Sequence, residues 1–369
     1  VKRGPLLAIA FWVVAFVAVD AWAGRFRWKM RERAGATGER LERQYRVPNP
    51  YYHHDLAPNH ATDSAMWGPI AYPLRTNSLG FRDSAVRTVP ARGTRPRILL
   101  IGDSFTEGLG VPFDSTAAGF LARKLDTAGV DVLNAAVLSY SPAIYWKKVQ
   151  FLVEAGIAID AVVVLLDVSD VQDEALRYRV DSVSGHVIDA PEEHATFWES
   201  WAHNSIALRA ASKALRLIRP HAPYGGCFAP DVLQDVDCRA GWTLSPAVMR
   251  RYGEAGLALA DSNMTKLAAL LRARRIPLTV VVYPWPQQLQ WADRASRQES
   301  YWRSWSAREG AAFISLFQPL FAQVDARGLD ATIAENFIAG DVHWSAAGHR
   351  LVAAQLAAML ALPKMQHTP

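Results

Sequence analysis

Two short segments hold the residue types needed to activate an alcohol. Ser104 stands in Gly102-Asp103-Ser104-Phe105-Thr106-Glu107, directly after the apolar run 97–101. Asp341 and His343 stand in Gly340-Asp341-Val342-His343-Trp344-Ser345, ahead of an amphipathic stretch. A hydroxyl is a weak nucleophile at neutral pH. It needs an adjacent general base, and the base needs a carboxylate to fix its tautomer. Ser104, His343 and Asp341 supply these groups in the chain order Ser, Asp, His. An Asp and a His two residues apart can face one another only in a turn or loop, which Gly340 permits. The Gly-x-Ser-x-Gly elbow of α/β-hydrolases is not the pattern around Ser104. With Glu107 three residues on, Ser104 also has the spacing of a capping box, a second role compatible with the first. His349 reads as a helix-surface or supporting residue.

Such groups work only if strand ends present them together. From 97 onward the sequence alternates strand and helix patterns: strands at 97–101, 131–133, 161–166, 277–283 and 312–316, with helical stretches at 115–127, 141–155, 246–274, 294–309 and 345–360. The β-branched run 161–166 marks a strand buried on both faces. Short apolar strands separated by helices predict an α/β three-layer sandwich with a parallel five-stranded sheet. Sites in such sheets lie beyond the carboxyl ends of the strands, where Ser104, the segment 134–141 and the segment 340–349 fall. Residues 171–240 break the alternation and read as an insertion into a domain spanning 95–363. Residues 24–94 read as a helix-compatible stalk followed by an extended arm wrapping the body.

Gly-Asp-Ser-Phe-Thr after the first strand, with Asp-x-His before the last helix, resembles the SGNH (GDSL-type) hydrolase superfamily. Upstream, Thr76-Asn77-Ser78-Leu79-Gly80-Phe81-Arg82 is similar to a segment preceding the serine block in many bacterial, membrane-associated members. The resemblance covers roughly 75–360 and implies a flavodoxin-like fold, ester chemistry and an oxyanion hole of three donors. These would be the Ser104 N–H, the Ser139 N–H where the family usually has Gly, and Ser169 where it usually has Asn. Asp170 matches the Asp that follows that Asn, and Asp103 and Asp170 are expected to support the site from behind. The usual Asp-x-x-His is shortened to Asp-x-His. A serine hydroxyl reaches less far than an Asn amide, so a weakened oxyanion hole and slow turnover of generic aryl esters are expected.

Composition frames the compartment. The chain has 369 residues, half of them hydrophobic and a fifth charged, which excludes wholesale disorder and a polytopic membrane protein. Net charge is +5, but residues 1–46 carry ten Lys/Arg against four acids, leaving the rest at −1. A basic leash on a near-neutral body points to a membrane surface and away from nucleic acid. Residues 1–23 read as an N-terminal membrane anchor or signal, the Arg and Lys residues that follow favouring an uncleaved anchor. Cys227 and Cys238 share an irregular segment and are expected to form a disulfide in an oxidising compartment. Asp167, Asp170, Asp173 and Glu174 read as local caps and ion pairs with no metal site, and no cofactor is expected. His53-His54-Asp55 reads as arm packing. Among 13 Trp, the cluster Trp285, Trp291, Trp302 and Trp305 suggests stacking on sugar rings.

The expected function is an esterase or acyltransferase at the extracytoplasmic face. Its substrate would be an acylated carbohydrate or other ester, with acetyl groups of a surface or exported polysaccharide leading. A catalytically weak binding or assembly protein and a lipid esterase or thioesterase are the alternatives.

Overall fold

The computed structural model describes residues 4–191, 205–208, 210–211 and 239–359. Five apolar runs form one all-parallel sheet: β5 (Arg97–Ile101), β6 (Asp131–Asn134), β7 (Ala161–Leu166), β10 (Leu278–Val282) and β11 (Ala312–Ser315). Their spatial order is β11-β10-β7-β5-β6. Numbered along the chain this is 2-1-3-4-5, which reverses direction between β5 and β7 and opens a crevice there. Every residue of β5 and β10 is buried, as a sheet covered on both faces requires. Helices α3 (Ala117–Asp126) and α11 (Ala346–Met359) pack together as one covering layer. Helices α4 (Pro142–Glu154), α5 (Asp170–Leu176) and α6 (Glu254–Ala273) pack together as another. The molecule is the α/β three-layer sandwich that the strand and helix patterns predict.

Three features differ from the sequence expectation. The arm is two antiparallel hairpins, β1 (Arg46–Asn49) with β2 (His53–Leu56) and β3 (Ala61–Trp67) with β4 (Ile70–Arg75). The predicted helix from 246 carries a π-helical turn at Met249–Gly253 ahead of α6. Two helices, α9 (Phe317–Arg327) and α10 (Leu329–Asn336), fill the stretch after β11. The insertion opens with α5 and a third hairpin, β8 (Tyr178–Val180) with β9 (Val187–Asp189). Cys227 and Cys238, and the disulfide expected between them, lie outside the described residues.

Helix α1 (Gly4–Glu42) contains Leu7–Phe26, a stretch long and apolar enough to cross a membrane or to act as a signal sequence. Leu7, Trp12, Val14 and Trp22 are each about 70% exposed, so the protein leaves most of this stretch uncovered, whereas Asp20 is buried and accepts the Ala207 N–H at 3.0 Å.

Candidate active site

The turn leaving β5 delivers Ser104. Gly102 allows it, because a Cβ there would sit 2.2 Å from Thr106 Oγ1 and 3.0 Å from the Leu165 carbonyl of β7. Ser104 opens the four-residue helix α2 (Ser104–Glu107), whose N-cap is Asp103: its Oδ1 accepts the Phe105 N–H at 3.0 Å. The capping role considered for Ser104 thus belongs to its neighbour, and Ser104 Oγ lies nearest His343, with Asp103 Oδ2 a longer contact at 3.3 Å. Buried Arg82 holds the far end of the turn, donating to the carbonyls of Glu107, Gly108 and Val111.

His343 comes from the opposite end of the chain. A bridge between Phe337 and Trp344 closes a tight loop with Gly340 at φ 75°. Inside it, Asp341 Oδ1 accepts both the His343 backbone N–H at 3.0 Å and the ring Nδ1–H at 2.6 Å. That carboxylate fixes the tautomer, so Nε2 carries the lone pair and accepts the Ser104 hydroxyl at 2.8 Å. Asp341 Oδ2 accepts the indole N–H of Trp67 at 2.8 Å. Burial alone would raise the Asp341 pKa; the donors from His343 and Trp67 outweigh it and bring it down to about 2. Trp67 and Phe105 rings pack on the imidazole, each 4.7 Å between centroids.

Ser104, His343 and Asp341 line a cavity of about 550 Å³ with Ser139, Ser169 and Trp285. Ser139 adopts φ 64°, a conformation that glycine tolerates and other residues rarely take. The N–H groups of Ser104 and Ser139 make no hydrogen bond among the described residues, and neither does Ser169 Oγ. The Ser169 N–H is already donated to Asp167 Oδ1 at 2.7 Å, so only its hydroxyl could serve a ligand.

Behind the serine lie three buried carboxyl groups, Asp103, Asp167 and Asp170, whose oxygens fall within 4.8 Å of one another. Burial first, and the Asp167 charge second, push Asp103 well above the usual carboxylate range. Burial, then Asp103 and Asp167, do the same to Asp170. Burial and mutual repulsion thus favour the protonated form of Asp103 and Asp170. Asp167 accepts the Trp285 indole N–H at 2.6 Å, and Asp170 accepts the Tyr145 hydroxyl at 3.0 Å. The cluster therefore ties the loop after β7 to the aromatic wall. Asp173, on the cavity side, is paired with Arg239 at 2.6 Å.

Other residues singled out in the sequence fall elsewhere. His349 is buried, not on the helix surface; its Nδ1 accepts the first N–H of α3 from Ala117 at 3.1 Å, and burial lowers its pKa to about 3. Trp302 and Trp305 are core residues packed edge to face, and of the tryptophan cluster only Trp285 lines the cavity. Trp67, which sequence reasoning missed, is the second indole there.

No family model and no curated protein matches this chain. The chain is similar to solved structures of GDSL-type proteins and esterases. One is a member of the lipolytic protein G-D-S-L family from Veillonella parvula, with TM-score 0.40, 11% identity, and coverage of 71% of this chain and 97% of that one. A second is the psychrotrophic esterase EstA from Pseudoalteromonas sp. inhibited by monoethylphosphonate, at 0.37, 11%, 71% and 94%. A third is a catalytic mutant of Axe2, an acetylxylan esterase from Geobacillus stearothermophilus, at 0.41, 12%, 73% and 95%.

Proposed function

We propose that this chain is a serine esterase or acyltransferase of the SGNH type, with Ser104 as nucleophile, His343 as general base and Asp341 as its orienting carboxylate. The observation that carries this reading is the unbroken hydrogen-bond line Ser104 Oγ, His343 Nε2, His343 Nδ1, Asp341 Oδ1 at 2.8 and 2.6 Å on the wall of an open cavity. In the reaction, Ser104 Oγ bonds to the acyl carbon as His343 takes its proton, and the carbonyl oxygen becomes an oxyanion. The Ser104 and Ser139 N–H groups and the Ser169 hydroxyl face it. Collapse expels the alcohol, protonated by His343, and leaves an acyl-enzyme that water or a second hydroxyl then attacks.

For the substrate we propose ester-linked acetyl groups on a surface or exported polysaccharide, with the domain held at the extracytoplasmic side by Leu7–Phe26. Support comes from the two indoles, Trp67 and Trp285, set among Gln287, Gln290, Asp173 and Arg239 on the cavity wall. The polar side chains suit sugar hydroxyls, and Leu138, Ile333, Phe337 and Ile338 on the same wall suit the acyl group. The test is labelling by a fluorophosphonate probe together with acetate release from acetylated polysaccharide, long-chain esters and aryl acetate. Wild type should label and prefer the sugar acetates, and Ser104→Ala should do neither. A wild-type protein that stays unlabelled is a binding protein on this fold, and a preference for long chains replaces the sugar by a lipid.

A further inference from the structure

The arm reaches the oxyanion side of the cavity through one peptide group. The Leu138 carbonyl accepts a hydrogen bond from His54 Nε2, on β2, at 2.8 Å. Its peptide is trans, as every described peptide is, and in a trans peptide the C=O and N–H point in opposite directions. The bond to His54 therefore turns the Ser139 N–H away from the arm, and Ser139 lines the cavity together with Ser104. We infer that His54 is a positioning residue that sets the oxyanion hole by holding the Leu138–Ser139 peptide in this orientation, a role that rests on the serine-esterase reading above.

The backbone explains why a hold is needed. Ser139 sits at φ 64°. Turning the peptide over changes ψ of Leu138 and φ of Ser139 by about half a turn, which takes Ser139 into the negative-φ range that an L-residue prefers. The same turn swings a carbonyl oxygen to where the donor belongs. With serine at this place the relaxed peptide is the inactive one. Opposing contacts surround it. The Leu138 N–H goes to Glu107 Oε2 at 2.6 Å, and Glu107 is itself clasped by Arg46 of β1 at 2.9 and 3.0 Å. Arg177 donates to Ser139 Oγ at 2.9 Å, and the Tyr140 hydroxyl donates to the His54 carbonyl at 2.7 Å. Among the described residues His54 alone grips the carbonyl whose direction fixes the Ser139 N–H.

The imidazole is prepared for this. A carbonyl only accepts, so His54 Nε2 carries a proton. His54 Nδ1 lies 2.8 Å from His53 Nδ1, a distance that needs one proton between them. Burial lowers the His54 pKa to about 3, so His54 stays neutral and the shared proton is His53's. His53 is itself at φ 81°, and its Nε2 lies 3.0 Å from Asp189 Oδ1 on β9. Two non-glycine residues with positive φ thus flank the contact, the kind of local strain that persists only where surrounding structure enforces it.

The test uses the full chain in detergent with an aryl acetate. His54→Phe keeps a ring against Tyr140 and Tyr178 but donates nothing; His54→Gln offers an amide N–H to the same carbonyl. The expectation is a fall in kcat of about 10²–10³ for His54→Phe, the cost of one oxyanion donor, with KM changed less than about threefold and the melting temperature near wild type. His54→Gln should recover to within about tenfold of wild type. Adding Ser139→Gly to His54→Phe should restore part of the loss, because glycine holds positive φ without penalty. Wild-type kcat in His54→Phe overturns the role, as does equal impairment of the Phe and Gln variants. If His54→Phe does not fold, the Gln variant decides, and a loss of about 10² in a folded His54→Gln overturns it. A wild type that neither hydrolyses esters nor labels overturns the esterase reading itself, whereas a labelling wild type matched by His54→Phe overturns only this role.

Discussion

Single side chains carry the chemistry, and which of them could be named from sequence depends on how far apart they act. Ser104, Asp341 and His343, the proposed nucleophile, orienter and base, are legible because they stand in short, punctuated segments. Trp67 and His54 are not. A tryptophan that donates to a carboxylate 274 positions away leaves no local pattern, and His54 looks like ordinary packing until the peptide it holds is seen. In the proposed oxyanion hole Ser169 is the weakest donor, since its hydroxyl is shorter than an amide. Ser169→Ala is therefore expected to cost less kcat than Ser104→Ala, and Ser169→Asn to keep or raise activity on small esters, measured with aryl acetate. Asp341 gives a prediction in stability. Its folded pKa, about 2, lies below the ordinary value near 3.8, so its ionised form stabilises the fold above that ordinary value. The benefit fades as pH falls toward 2. Thermal melts should show the advantage of wild type over Asp341→Asn shrinking between about pH 4 and pH 2.

Elements differ in legibility for a physical reason. The sheet strands are continuous apolar runs with helices between, and periodicity finds them within a residue or two. The strands of the arm hairpins are four to seven residues long and mix Pro, His and Asp. Their cohesion comes from contacts with the body, which no local window contains. The chief such contact is buried: Lys148 of α4 meets Asp55 of β2 at 2.7 Å and Tyr140 OH at 3.2 Å, with Tyr52 donating to the same carboxylate at 2.7 Å. Burial lowers the Lys148 pKa, with Asp55 opposing. Removing one partner of a buried pair strands the other charge. Lys148→Met should destabilise by roughly 3–5 kcal/mol in denaturant unfolding, and Lys148→Met with Asp55→Leu should recover part of it. A double variant as unstable as the sum of the singles would show that the pair is not coupled.

At the scale of the whole molecule, two buried histidines set the acid limit. His54 and His349 are both held neutral, near pKa 3, whereas an unfolded histidine titrates near 6.5. The unfolded chain binds more protons between those values, so stability falls as pH drops from about 6.5 toward 3. The slope is on the order of 1 kcal/mol per pH unit for each group. Replacing His349 by Gln should flatten that slope in pH-dependent melts, even where it lowers stability at neutral pH.

The separation of the site's parts along the chain has a consequence for biogenesis. Ser104 meets a partner 239 residues downstream, and that partner's carboxylate is held by Trp67, which is made earlier still. While the chain is being synthesised, at about 5–20 residues per second, the serine emerges tens of seconds before the loop that activates it. On the proposed mechanism Ser104 stays an ordinary alcohol during synthesis and gains its base only once residues 337–345 have docked. On that mechanism the delay is built into the order of the sequence.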